Sequence, residues 1–280
     1  MKKLSCILLV ALITFVSCNK VDNAKKYSQE SDFTALKEQL IELNNTLPQN
    51  ESITTKAKWW KYLLVAAADA GGFFLGGGAS AGAGAVTAGC AVSTLVWNLV
   101  KEEKKAETKA NIAGQPTSFY DSEIALSCVD GAGLIHNKVI LDLYEDHGEA
   151  LFAYNEDSLL PLVAEKVSLE TECTIGEASL TIQEQQNVVN KTVNAYATSS
   201  TIDEFINNLE LSAPERAALL EIVNVILNGF DSIDAVADNG IYCASVQNII
   251  SESTVSEEAK QILTSTTSVA NASARLWKVE

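Results

Sequence analysis

Val65 to Val100, VAAADAGGFFLGGGASAGAGAVTAGCAVSTLVWNLV, carries one charged side chain, Asp69, and constrains the fold more than any other stretch. A continuous helix from Trp60 to Trp97 would be about 55 Å long, well beyond a hydrocarbon core of about 30 Å. Three consecutive glycines, Gly76 to Gly78, sharply lower helix propensity and predict a break there. The stretch therefore reads as a helical hairpin with both ends on one side. Small residues recur four apart at Gly72, Gly76, Ser80, Gly84 and Ala88, a smooth strip that lets another backbone approach closely.

The surroundings of this hairpin are left open. Lys58-Trp59-Trp60-Lys61 precedes it, and Trp97 with Lys101, Lys104 and Lys105 closes it. Aromatic and lysine flanks suit a membrane interface, which makes Trp59, Trp60 and Trp97 candidate interface residues. Large apolar groups are sparse, however: Phe73, Phe74 and Leu75 before the break, then little until Leu95, Val96 and Leu99. Each such residue favours insertion by only about 0.3 to 0.6 kcal/mol, so insertion is weakly driven. A hairpin buried in the domain leads, followed by a membrane-seeking hairpin and then a disordered apolar loop.

The amino terminus addresses the chain. Met1-Lys2-Lys3 followed by the apolar run Cys6 to Val16 is an export leader, and Phe15-Val16-Ser17-Cys18 resembles the lipobox of bacterial lipoproteins. That resemblance implies cleavage after Ser17, lipidation of Cys18 and, with Asn19 next, sorting to the outer membrane. Several acyl chains on one residue anchor stably where one does not. The expected organisation is a leader (1–17), a polar tether (18–30), an amino-terminal helix plus hairpin (31–109) and a carboxy-terminal helical domain (118–280) packed with it. Gly114 and Pro116 lie in the boundary. The net charge of −16 excludes a nucleic-acid surface, which needs clustered Lys and Arg.

Helical signals dominate the rest, so the fold class is all-α: an irregular multi-helix array of about seven to nine helices around the Gly-rich apolar hairpin. Phe33, Leu36, Leu40, Leu43 and Leu47 form a stripe that needs a partner helix, most simply one from the carboxy-terminal portion. Capping boxes are predicted at Thr181/Glu184, Thr201/Glu204, Ser212/Glu215 and Thr254/Glu257. Gly229 reads as a helix stop and Asn239-Gly240 as a turn or helix break.

Chemistry is thinly represented. His136 and His147 are about 16 Å apart along a helix and cannot share a metal. Asp142, Glu145 and Asp146 could assist a histidine in acid/base work, yet no nucleophile, phosphate-cradling or zinc motif accompanies them. The bland reading is a core-bonded His136 and a solvated acidic face. Cys90, Cys128, Cys173 and Cys243 form no C-x-x-C, so no zinc site or cofactor is expected. In an oxidising envelope they pair in one of three ways or remain buried thiols.

K-W-W-K, the Gly/Ala-rich stretch, G-x-x-H-N at Gly133, His136 and Asn137 (with Ile140 where Leu is usual) and A-S-A-x-x-W at Ala272, Ser273, Ala274 and Trp277 together resemble a group of uncharacterised secreted bacterial proteins. The resemblance implies no catalytic residue and makes His136 and Asn137 a structural or binding motif. The expected function is a non-catalytic lipoprotein that binds an envelope or external protein. The alternatives are a toxin- or bacteriocin-like protein that inserts its hairpin, and an enzyme using His136.

Overall fold

The computed structural model describes residues 31–47, 65–72, 83–99, 131–170, 181–209, 214–231 and 236–277. The fold is all-α, with no strand among these residues. In chain order the helices are α1 (residues 31–46), α2 (65–72), α3 (Ala83–Leu99), α4 (Ala132–His147), α5 (Glu156–Glu170), α6 (Ile182–Ala197), α7 (Ile202–Asn208), α8 (Pro214–Asp231), α9 (Val236–Glu252) and α10 (Glu257–Leu276). A 3-10 turn, Gly148–Ala153, links α4 to α5.

The stripe of α1 finds its partner as its spacing demands. Phe33, Leu36 and Leu40 are buried, and Leu43 and Leu47 pack against the core. Polar bonds fix the helix on the carboxy-terminal portion: Lys37 Nζ pairs with Glu221 Oε2 at 2.7 Å, and Asn44 Nδ2 donates to the Val225 carbonyl at 2.8 Å. The Tyr242 hydroxyl lies within donating distance of Asn44 Oδ1 (2.8 Å) and the Ile226 carbonyl (3.2 Å). One tyrosine thus joins α1, α8 and α9.

α3 is the central helix, with α4, α5 and α6 packed around it. A helix apolar all round belongs in a core or a membrane, and here it occupies the core. From Ala83 to Trp97 the described side chains are buried, apart from half-buried Leu95, while Leu99 at the end is 51% exposed. All of α2 is buried, and Gly72 lies against Ala88 and Val92 of α3 along the expected strip of small residues. Gly76 to Gly78, Phe73 and Phe74 lie outside the described residues, as do Cys18, Trp59, Trp60 and the 110–117 boundary.

Helix starts follow the capping chemistry in part. Thr181 and Glu184 form a complete capping box on α6. On α7, Thr201 Oγ1 accepts from Glu204 N at 3.1 Å, but the Glu204 carboxylate accepts from Ser200 N instead of completing the box. The box expected at Thr254 is replaced by Ser256, which caps α10 by accepting from Ala259 N, because Thr254 Oγ1 instead donates to Asp32 Oδ1 on α1. Ser212 lies outside the described residues.

Two predicted breaks are corrected. α8 runs through Gly229 to Asp231, and α9 runs through Asn239-Gly240. Helical glycine costs about 1 kcal/mol relative to alanine, and packing recovers it at Gly229. A Cβ there would stand 1.8 Å from the Tyr242 hydroxyl and 2.5 Å from Asn44 Oδ1. The glycine is kept so that the α1–α8–α9 knot can close. Gly229→Ala should therefore destabilise the protein by about 1–3 kcal/mol in denaturant titration despite its better helix propensity; a stabilised variant would contradict this account.

Candidate functional site

The Gly133, His136, Asn137 motif and the Ala272 to Trp277 motif, far apart in sequence, are the two sides of one helix contact. α4 crosses α10 so closely that a Cβ on Gly133 would lie 2.3 Å from the Ser268 carbonyl oxygen, and the Gly133 N–H donates to Ser268 Oγ at 3.2 Å. Only glycine permits that approach. One turn along, Asn137 Nδ2 donates to the Ala272 carbonyl at 2.9 Å.

That bond fixes the asparagine amide, and with it the histidine tautomer. Since Nδ2 serves Ala272, Asn137 Oδ1 faces His136 Nδ1 at 2.9 Å and requires a proton on Nδ1. Nε2 is then left as an acceptor, 3.8 Å from Asp69 Oδ2 on α2. The contact is too long for a hydrogen bond.

Asp69 gathers the other elements. Ser93 Oγ of α3 donates to Asp69 Oδ2 at 2.8 Å, and Ser273 Oγ of α10 donates to the same oxygen. Trp277 Nε1 donates to Ser93 Oγ at 2.9 Å, while its ring stacks on Trp97 with centroids 4.7 Å apart and planes 12° apart. The Cys90 thiol donates to the His136 carbonyl at 3.6 Å. Every one of these side chains is buried. Asp69 Oδ1, His136 Nε2 and Trp97 Nε1 have no hydrogen-bond partner among the described residues, a cost of about 1–3 kcal/mol for each such group.

Burial sets the charge states. It raises the Asp69 carboxyl to about 7, against the lowering effect of the bonds from Ser273 and Ser93. It lowers His136 to about 4, partly opposed by the bond to Asn137. The Asp69/His136 contact is therefore a neutral acid facing a neutral imidazole near pH 6, and not an ion pair. Burial, and then the nearby Asp69 charge, push the Cys90 thiol well up, so it is no nucleophile.

The two shifts oppose each other. Asp69, raised from 3.8, contributes its stability in full below about pH 3.8 and loses it as pH rises through about 7. His136, depressed from 6.5, contributes above about pH 6.5 and loses it as pH falls through about 4. Between those limits one loss offsets the other. The pair holds one proton in the folded chain over nearly the range in which it holds one in the unfolded chain, so it makes no sharp pH switch.

The remaining sequence candidates fall elsewhere. His147 ends α4, with its Nδ1 3.3 Å from the Tyr154 hydroxyl and the two rings edge to face. The acidic group is a face of ion pairs: Lys138 lies 3.0 Å from Asp142 and 3.2 Å from Glu170, and Lys166 lies 2.7 Å from Asp146. Trp97, one of the candidate membrane-interface residues, lies in the core with its ring stacked on that of Trp277. Cys90 and Cys243 are free buried thiols, while Cys128 and Cys173 lie outside the described residues. No three His, Cys, Asp or Glu groups among the described residues could hold a metal ion. Asp69, Ser93 and Ser273 were not expected as site residues. Their available signals were the lone charge in an uncharged stretch and the serine inside A-S-A-x-x-W. The chain matches no family, no curated protein and no solved structure.

Asp69→Asn keeps an acceptor for Ser93 and Ser273 and removes the titrating acid. Relative to wild type it should be about 2–3 kcal/mol more favourable at pH 8 than at pH 5 in denaturant unfolding, since Asp69 would otherwise lose its proton across that interval. An equal difference at both pH values would show that Asp69 has an ordinary acidity.

Proposed function

We propose that the protein is a bacterial envelope lipoprotein, anchored through acyl chains on Cys18 at the outer membrane, whose helical body is a non-catalytic binding module for an envelope or external protein. The leader ending in F-V-S-C, the polar tether after it and the helical array support this reading. One observation carries the non-catalytic part. Asp69, His136 and Cys90, the groups with shifted proton affinities that lie together, are fully buried, and a general acid or base must reach its substrate to act. Trp97 and Trp277 stack beside that cluster, and both rings are buried. Metabolic labelling with a fatty-acid analogue should mark the wild-type protein and leave Cys18→Ala unmarked and released from the membrane fraction. Equal labelling of the two would overturn the anchor.

A second reading, a membrane-active protein that delivers α2 and α3 to a bilayer, is favoured by a specific observation. α3 carries no charged residue, and the single charge on α2, Asp69, is held neutral by burial up to about pH 7. Among the described residues no helix is long and apolar enough to cross a membrane, so these helices would lie against lipid instead of spanning it as they stand. Unlipidated protein that releases trapped dye from phosphatidylcholine vesicles would favour this reading, and retention of the dye from pH 5 to pH 8 would remove it.

A further inference from the structure

We propose that the exposed face of α9 is where two copies of this chain meet, their α9 helices paired antiparallel about a two-fold axis at Ser245. The contact goes beyond the reading of a lipid-anchored binding module and does not depend on it.

The face is a stripe at helical spacing. Gly240, Ile241, Ala244, Ser245, Asn248 and Ile249 line one open groove. Ile241 is 69% exposed, and Ala244 and Asn248 are exposed as well. Ser245 Oγ donates to the Ile241 carbonyl at 3.1 Å, so its proton is already used within α9. Gly240, Ala244 and Ser245 leave a low surface on which a second helix backbone can approach closely. Small size alone names no occupant; the charges at the two ends of the groove do.

At one end the Arg275 guanidinium of α10 lies on α9 at Gly240, where a Cβ would stand 2.8 Å from Nη2. At the other end is Glu252, whose carboxylate accepts from Asn248 Nδ2 at 3.2 Å. Both charged side chains are exposed, and neither has an oppositely charged partner among the described residues. Gly240 and Glu252 are about 18 Å apart along the helix, too far for the two charges to pair within one chain. An antiparallel second copy brings them together. Ile241 and Ile249 lie four positions either side of Ser245, so a two-fold axis there sets Ile241 of each copy against Ile249 of the other. The same axis brings Gly240 of one copy within about 3 Å, along the helix, of Glu252 of the other, which a guanidinium lying at Gly240 can span. A patch that is its own complement is what a two-fold dimer requires, and a foreign helix would match it only by coincidence. Antiparallel pairing also sets opposed helix dipoles side by side. Two chains of −16 repel at long range, but this is screened beyond about 8 Å at physiological salt, which leaves the contact to the local pairs.

Sedimentation equilibrium of the full-length chain in a mild detergent, at concentrations up to about 200 µM, tests this. One helix face is a small contact, so wild type should dimerise with a Kd of about 10–100 µM. Arg275→Glu and Glu252→Arg each set like charges together at both ends of the contact and should weaken the dimer about tenfold. The double variant restores the opposite pairing and should return Kd to within about threefold of wild type. Circular dichroism checks that each variant keeps its helices. A wild type that stays a monomer throughout, leaving the groove to another protein, overturns the proposal. So does a double variant no tighter than either single one, or single reversals that leave the dimer unchanged.

Discussion

The carboxyl group of Asp69 is the point on which the helices converge. It sits on a helix of alanine and glycine, where side chains are too small to lock a neighbour by shape, and receives a hydroxyl from α3 and another from α10. Burying an acid without a full set of partners costs stability, here seen as the shift of its proton affinity to about 7. What it supplies is direction. Only one register of α2 against α3 and α10 puts both hydroxyls on Oδ2, whereas many registers would satisfy the surrounding methyl groups. The cost is moderated near pH 6, where Asp69, raised to about 7, and His136, lowered to about 4, are both uncharged and neither needs a counter-ion.

Small residues and tryptophan are two halves of the same packing solution. Gly133 admits the backbone of α10 and Gly72 sits against α3, so the axes come close where side chains are absent. Between α3 and the end of α10 the stacked pair Trp97 and Trp277 fills the core instead, and both rings are fully buried. Trp277 then has two duties, filling volume and donating to Ser93, which ties the packing to the Asp69 network through a single side chain. Among the described residues Trp97 Nε1 has no hydrogen-bond partner, a polar cost of this arrangement.

What could be read from the sequence followed the range of the physics involved. The stripe of α1 and the cap of α6 depend on residues within four positions of one another, and both were legible. The cap of α10 was misplaced because Thr254 is claimed by Asp32, a partner more than two hundred positions away in sequence. Gly229 looked like a stop because its actual constraint, the Tyr242 hydroxyl, belongs to another helix. His136 and Asn137 were visible as a motif, but their partner Ala272 offers a backbone carbonyl, which no residue type announces. Asp69 was visible as a lone charge and passed over, since a single carboxylate implies chemistry only when its donors are known. Trp97 remained a candidate for a membrane interface beside the leading reading of a buried hairpin, because flanking lysines and an apolar stretch describe a buried helix end equally well.

That ambiguity bears directly on how such a core can behave. A helix apolar on every side gains nearly as much from lipid as from its own protein, because hydrocarbon and a core of methyl groups are similar solvents for it. The preference for the folded body must then come from contacts that lipid cannot reproduce. Hydrogen bonds to Asp69 and Ser93 are of this kind, as is the close stacking of Trp97 on Trp277. Those from Ser273 and Trp277, with the stack, come from the end of α10, whereas the Ser93 bond to Asp69 joins α3 to α2. The polar cluster, buried in the middle of the core, supplies contacts with direction that fix how α2 and α3 sit against α10.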